Sequence, residues 1–183
     1  MLSQNDTIIL LKIAREAIIQ QIKNEDYSPT PREEEALNEH SGCFVTITQN
    51  GHLRGCIGNF QSQQPLFQEV ATMAVAAASQ DPRFQPMSPD ELDNFSVEIT
   101  VLSPLEKIED TDRIEVGTHG IYIVKGHNRG VLLPQVATDY DWDRETFLQQ
   151  TCVKAGLSEN SWQRPDAEIY IFSGQIFSEQ YLK

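Results

Sequence analysis

The sequence predicts an α+β fold in two lobes, made of duplicated hairpin-helix-strand units that form an antiparallel sheet with helices packed on it. Three observations carry that prediction. Segments with two-residue alternation lie beside segments whose apolar residues recur every three or four positions, so strands and helices are both present. The order strand, tight turn, strand, helix, strand occurs over about residues 43–105 and again over about residues 114–178. Arg129-Gly130 also echoes Arg54-Gly55 at the matching strand, 75 residues later.

Residues 1–24 read as an N-terminal helix. Ser3 and Asp6 have the spacing of a capping box, and Ile8, Leu11, Ala14, Ile18 and Ile22 line one face. Residues 25–42 read as a connector, because Pro29 and Pro31 interrupt the backbone and Glu33, Glu34 and Glu35 require solvent, with room for one short helix near Leu37. Strands at residues 44–48 and 52–58 are joined through Asn50-Gly51, whose tolerance of positive φ suits a type I′ turn. Pairing of Gln49 with His52 then sets Ile47 opposite Arg54 and Val45 opposite Cys56. Cys43 shares that side, and Phe44, Thr46, Leu53, Gly55 and Ile57 occupy the other. Apolar residues on both faces imply that both are covered.

Pro65 opens a helix with a Leu66, Val70, Ala74 stripe, and its alanines permit close approach to a sheet. Residues 81–86 form a stiff turn, Ser88-Pro89-Asp90-Glu91 a short capped helix, and Phe95, Val97, Ile99 and Val101 alternate with Glu98 and Thr100 as a strand. The second series runs through strands at residues 121–124 and 129–133, a helix over about residues 143–155, and a strand at residues 168–172. Gly156 after that helix reads as its C′ residue, with Leu157 supplying the accompanying hydrophobic contact. The acidic stretches at residues 33–35 and 106–112 read as solvated surface.

With 183 residues, 39% of them hydrophobic and 22% charged, the chain suffices for one domain over residues 1–183 with a sizeable core. Fourteen basic against twenty-seven acidic residues give a charge of -13, and no Lys/Arg cluster offers the footprint a phosphate backbone requires, so nucleic acid is not an expected partner. No signal pattern and no apolar run of about 18 residues is present, which predicts a cytoplasmic protein without a membrane span. Cys43, Cys56 and Cys152 are an odd number without export signals and read as reduced thiols. His40, His52, His119 and His127 are scattered and no Cys-x-x-Cys occurs, so no metal site is predicted. Phosphate-cradling loops, dinucleotide fingerprints and serine elbows are missing as well, so the cofactor, if any, is unknown from the residues.

The densest chemistry lies in Leu53-Arg54-Gly55-Cys56-Ile57-Gly58. Strand periodicity puts Arg54 and Cys56 on one face about 7 Å apart between Cα atoms, and Gly55 and Gly58 leave room for a ligand or another backbone. Cys56 is the candidate nucleophile, acting as a thiolate that a neighbouring Arg54 cation favours. Its alternative is a small packed hydrophobe, and Val131 at the matching position shows that an apolar side chain fits there. Arg54 on an apolar face requires a carboxylate or bound anion, and Glu98 is the first expected partner, as a structural ion pair or as a catalytic couple.

Asp81, Arg83 and Phe84 are candidate ligand-binding residues on a loop stiffened by Pro82 and Pro86. The alternative is an Asp-capped turn with Arg83 solvated and Phe84 in the core. His119, between Gly117 and Gly120, is a candidate acid or base. Gln135, after Pro134, is a candidate anchor for a ligand amide or carbonyl.

The Leu53–Gly58 hexapeptide resembles the signature of the AMMECR-domain family, named after an Alport-syndrome and elliptocytosis chromosomal-region gene product. Gly42-Cys43-Phe44-Val45-Thr46, Asp81-Pro82-Arg83-Phe84, Leu133-Pro134-Gln135-Val136 and Lys154-Ala155-Gly156-Leu157 are similar to family segments in the same order. The resemblance implies a two-lobed α+β fold with internal duplication but names no reaction. Prokaryotic members resemble protein A of the AmmeMemoRadiSam system, whose other components are a Memo-type protein and a radical S-adenosylmethionine enzyme. The resemblance thus implies those two partners. Two functional readings follow: a small-molecule enzyme or enzyme subunit using the Cys56 thiol, and a noncatalytic module that binds a protein or ligand beside the signature strand. A nucleic-acid-linked regulator is opposed by the charge.

Overall fold

The computed structural model describes residues 2–179 and divides into two compact units. The first comprises the chain up to Leu102 and again from Gln175, and the second is Ser103–Gly174.

In the first unit, helix α1 (Gln4–Ile22) starts at the expected capping box. The Ser3 hydroxyl accepts the Asp6 N–H at 3.2 Å, and the Asp6 carboxylate accepts the Ser3 N–H at 2.8 Å. Leu10, Leu11, Ala14, Ala17 and Ile18 are buried, and the helix packs on α3 (Leu66–Ser79). A short helix α2 (Glu35–Asn38) buries Leu37 within the connector. Strands β1 (Cys43–Gln49) and β2 (His52–Asn59) turn at Asn50 and Gly51, with φ of 52° and 78° as a type I′ turn requires. β3 (Ser96–Leu102) pairs with β1, and β8 (Gly174–Ser178) completes the order β2-β1-β3-β8.

The hairpin register differs from the expected one. Gln49 does pair with His52 and Thr48 with Leu53, but Ile47 then pairs with Gly55, leaving Arg54 as an extra residue in β2. This bulge reverses every side chain beyond it: Cys56 lies opposite Thr46 and Ile57 opposite Val45. Cys43, Val45 and Ile47 are fully buried with α1 and α3 in the core, so Cys43 and Cys56 lie on opposite faces. α3 covers that inner face so closely that a Cβ on Gly55 would lie 2.1 Å from the Ala77 carbonyl oxygen.

The second unit has its own sheet, ordered β4-β7-β5-β6, from β4 (Glu106–Ile108), β5 (Gly120–Lys125), β6 (Asn128–Leu132) and β7 (Glu168–Phe172). There are two sheets, then, where a single one was the simplest expectation. In each, a helix packs on the hairpin strands: α5 (Arg144–Lys154) lies on β5 and β6, and a Cβ on Gly130 would stand 2.7 Å from the Thr151 carbonyl oxygen. α5 ends as expected, with Gly156 at φ 72° and the Leu157 N–H donating to Cys152 O at 2.9 Å.

Among the α-helices and strands, three lack a sequence forecast. α4 (Pro134–Asp139) begins directly after Leu133, the end of an expected strand, because Pro134 at the first helical position fits a helix as well as a strand end. β4 occupies part of the acidic 106–112 stretch, since Ile108 is buried against the second core. The residues expected to close the second series at 178 instead form β8 of the first sheet.

Candidate functional site

β2 is the edge strand of the first sheet, and its outer face carries Cys56. Across the strands, Cys56 on β2, Thr46 on β1 and Glu98 on β3 fall in one row. The Thr46 hydroxyl donates to the Cys56 sulfur at 3.2 Å. Cys56 is partly exposed, whereas Cys43 and Cys152 are fully buried and burial pushes both of those thiols upward in pKa. In the second sheet the row that follows Gly130 is Val131, Tyr122 and Tyr170, ending at Lys107, with no thiol.

An edge strand leaves backbone groups unpaired, and here a loop supplies the partners. The Asp81 carboxylate accepts the Cys56 N–H at 2.8 Å, and the Arg83 guanidinium donates to the Cys56 carbonyl at 3.4 Å. Arg83 also holds Asp81 through Nε at 2.9 Å and Nη2 at 2.7 Å. The Asp81 side chain is 2% exposed and that of Arg83 55%. So charged a group survives burial because Arg83, aided by the Cys56 and Arg83 N–H groups, holds its carboxyl far below the usual range. Asp81 in turn, chiefly through its side-chain hydrogen bonds, keeps Arg83 protonated.

Arg54 does meet a carboxylate, but it is Glu91 and not Glu98. Its Nε donates to Oε1 at 2.6 Å and its Nη2 to Oε2 at 3.0 Å, a bidentate pair with side chains 15% and 16% exposed. Glu91 is fixed from behind by the Ser88 N–H at 2.9 Å, the capping box of the short 3₁₀ helix Pro89–Glu91. Arg54, chiefly through these hydrogen bonds, lowers the Glu91 pKa. Arg54, the bulged residue, has no partner on β1, and the row that contains Glu98 is that of Thr46 and Cys56. Phe84 lies between the cations, its ring centroid 5.8 Å from the Arg54 guanidinium and 5.6 Å from that of Arg83. The remaining Arg54 nitrogen, Nη1, is buried without an acceptor among the described residues.

The structure therefore brings Arg54, Cys56, Asp81, Arg83 and Phe84 together and adds Thr46 and Glu91. The Ser88–Glu91 cap was legible in sequence, but its second duty toward Arg54 spans 37 residues and left no local signal. Thr46 was hidden by the bulge. Gly55 meets α3, and a Cβ on Gly58 would stand 2.3 Å from the Phe44 ring, so packing occupies the space at both glycines. His119 belongs to the second unit, where its Nδ1 accepts the Glu115 N–H at 3.1 Å. Gln135 lies on α4 of that unit, its Oε1 buried without a donor. Among the described residues, no three His, Cys, Asp or Glu side chains converge as a metal site would need, and no helix is long and apolar enough to cross a membrane.

These features define an α+β protein whose first sheet presents a partly exposed thiol on an edge strand, framed by two carboxylate-bound guanidinium groups. The chain belongs to the AMMECR1 family, whose profile matches residues 11–177. A protein from Methanothermobacter thermautotrophicus is 40% identical over 185 residues, covering 97% of this chain and 96% of the relative. Protein NEQ441 from Nanoarchaeum equitans is 42% identical, covering 93% and 98% respectively. The crystal structure of the uncharacterized protein PH0010 from Pyrococcus horikoshii is similar with a TM-score of 0.78 at 38% identity, over 93% of this chain and 90% of that one.

Proposed function

We propose that the protein is a thiol-using enzyme, or the thiol-bearing subunit of one, that acts on a small molecule. Cys56 supplies the reactive sulfur, and the buried Arg54 Nη1 offers a donor to an anionic group of the substrate. Glu98, in the same row, is the proton carrier of this reading. The single observation behind it is the contrast among the cysteines: only Cys56 is partly exposed and hydrogen-bonded at sulfur by a side-chain hydroxyl. The family resemblance supplies the context, a cytoplasmic pathway shared with a Memo-type protein and a radical S-adenosylmethionine enzyme. Iodoacetamide labelling followed by mass spectrometry tests the reading. Cys56 is expected to alkylate faster than glutathione at pH 7; an equal or slower rate overturns it.

A second reading, a noncatalytic binding face, draws on a specific feature. Both guanidinium groups are already committed to Glu91 and Asp81, which makes the surface rigid. Under that reading Cys56→Ala keeps affinity for a Memo-type partner and Arg54→Ala weakens it, whereas the enzyme reading requires the sulfur.

A further inference from the structure

The second unit holds an unmet hydrogen-bond donor and an unpaired guanidinium beside an open volume. Where β4 and β5 end and β7 begins, the strands and the loop at residues 162–167 border a cavity of about 830 Å³, within the range of small-molecule pockets. Two acids on its wall are already matched: Glu168 pairs with Lys107 and accepts the Tyr170 hydroxyl at 3.1 Å, and Asp166 pairs with Lys125 at 3.2 Å. A third, Glu109, adds its attraction to Lys107.

One donor is not matched and one cation is unpaired. The Trp162 Nε1–H is buried with no acceptor, and the exposed Arg164 takes part in no ion pair among the described residues. Both lie on the cavity wall, and Pro165 stiffens the backbone that carries them. A buried donor is satisfied in nearly all native structures by protein, water or ligand, so the indole marks where an acceptor atom belongs.

We propose that this cavity binds a small molecule bearing a carboxylate, one oxygen accepting the Trp162 Nε1–H and the other facing the Arg164 guanidinium. A carboxylate is the acceptor that serves both donors at once, and its charge strengthens each bond. The proposal uses no residue of the first unit and is independent of the thiol reading.

The chain contains two tryptophans, so its indole N–H resonances are two, and Trp142, stacked on Tyr140, serves as the internal reference. The full chain is titrated with sodium succinate at constant ionic strength, and in parallel with succinamide. The expected result is a saturable shift of the Trp162 indole resonance with succinate and none with succinamide. In Arg164→Ala, half-saturation should move to about tenfold higher concentration. An unmoved Trp162 resonance, an equal response to succinamide, an unchanged titration in Arg164→Ala, or a common unsaturable drift of both indoles each overturns the proposal.

Discussion

The carboxylate of Asp81 accepts the backbone N–H of Cys56 at 2.8 Å, so a loop residue 25 positions away fixes the edge strand at the one partly exposed thiol. Because Asp81 is nearly inaccessible and tied to Arg83, its charge is integral to the fold rather than to the surface.

Asp81→Asn should cost about 2–4 kcal/mol at pH 7, the price of breaking a buried pair and weakening charge-assisted bonds. The pH dependence has a definite sign. The folded-state pKa of Asp81 is depressed, so its contribution is complete above the unfolded value of about 3.9 and declines as pH falls below it toward the folded pKa. Urea denaturation at pH 7 and at pH 3 measures this: the gap between wild type and Asp81→Asn should narrow at the lower pH. A constant gap contradicts the assignment.

Glu91→Ala leaves a mostly buried Arg54 without its carboxylate and should destabilise the first unit by about 2–4 kcal/mol. Glu98→Ala removes a partly exposed side chain that no described residue binds, and should change stability by about 0.5 kcal/mol or less. Denaturant midpoints of the two variants, compared side by side, check the exchange of partners from Glu98 to Glu91.

Thr46→Val removes the hydroxyl on the Cys56 sulfur while keeping the side-chain shape. Loss of a bond worth about 1 kcal/mol at the reacting sulfur should slow alkylation at pH 7 roughly fivefold. Thr46→Ser should retain most of the rate. The readout is the rate of iodoacetamide labelling at Cys56, which a purely structural role for Thr46 leaves in place.

Gly55→Ala and Gly130→Ala each push a methyl group into helix backbone, at 2.1 Å from the Ala77 oxygen and 2.7 Å from the Thr151 oxygen. Each should cost about 1–3 kcal/mol through overpacking. Hydrogen exchange should locate the loss around α3 for Gly55→Ala and around α5 for Gly130→Ala, since each glycine touches its own unit's helix.

Much of the architecture was legible in the residues. The capping boxes at Ser3 and Ser88, the Asn50-Gly51 turn and the Gly156 helix end are written within a few positions of chain, and all form. The Arg54–Cys56 segment was also recognisable as the richest in side chains capable of chemistry, and the need of Arg54 for a carboxylate followed from the cost of burying a charge. Which carboxylate, and which face the thiol takes, were not legible. A bulge adds one residue without altering the alternation that precedes it, yet it turns Cys56 from the helix-covered side to the Thr46 side.

The sequence by itself determined the kinds of element, their order and the residues rich in chemistry, because periodicity and capping act over one or two turns of chain. Only the tertiary structure decided that Arg54 binds Glu91, that Asp81 closes the strand edge at Cys56, and that residues 174–178 join the first sheet and not the second. Those outcomes depend on distant backbone groups competing for the same partners, and the packed fold settles that competition.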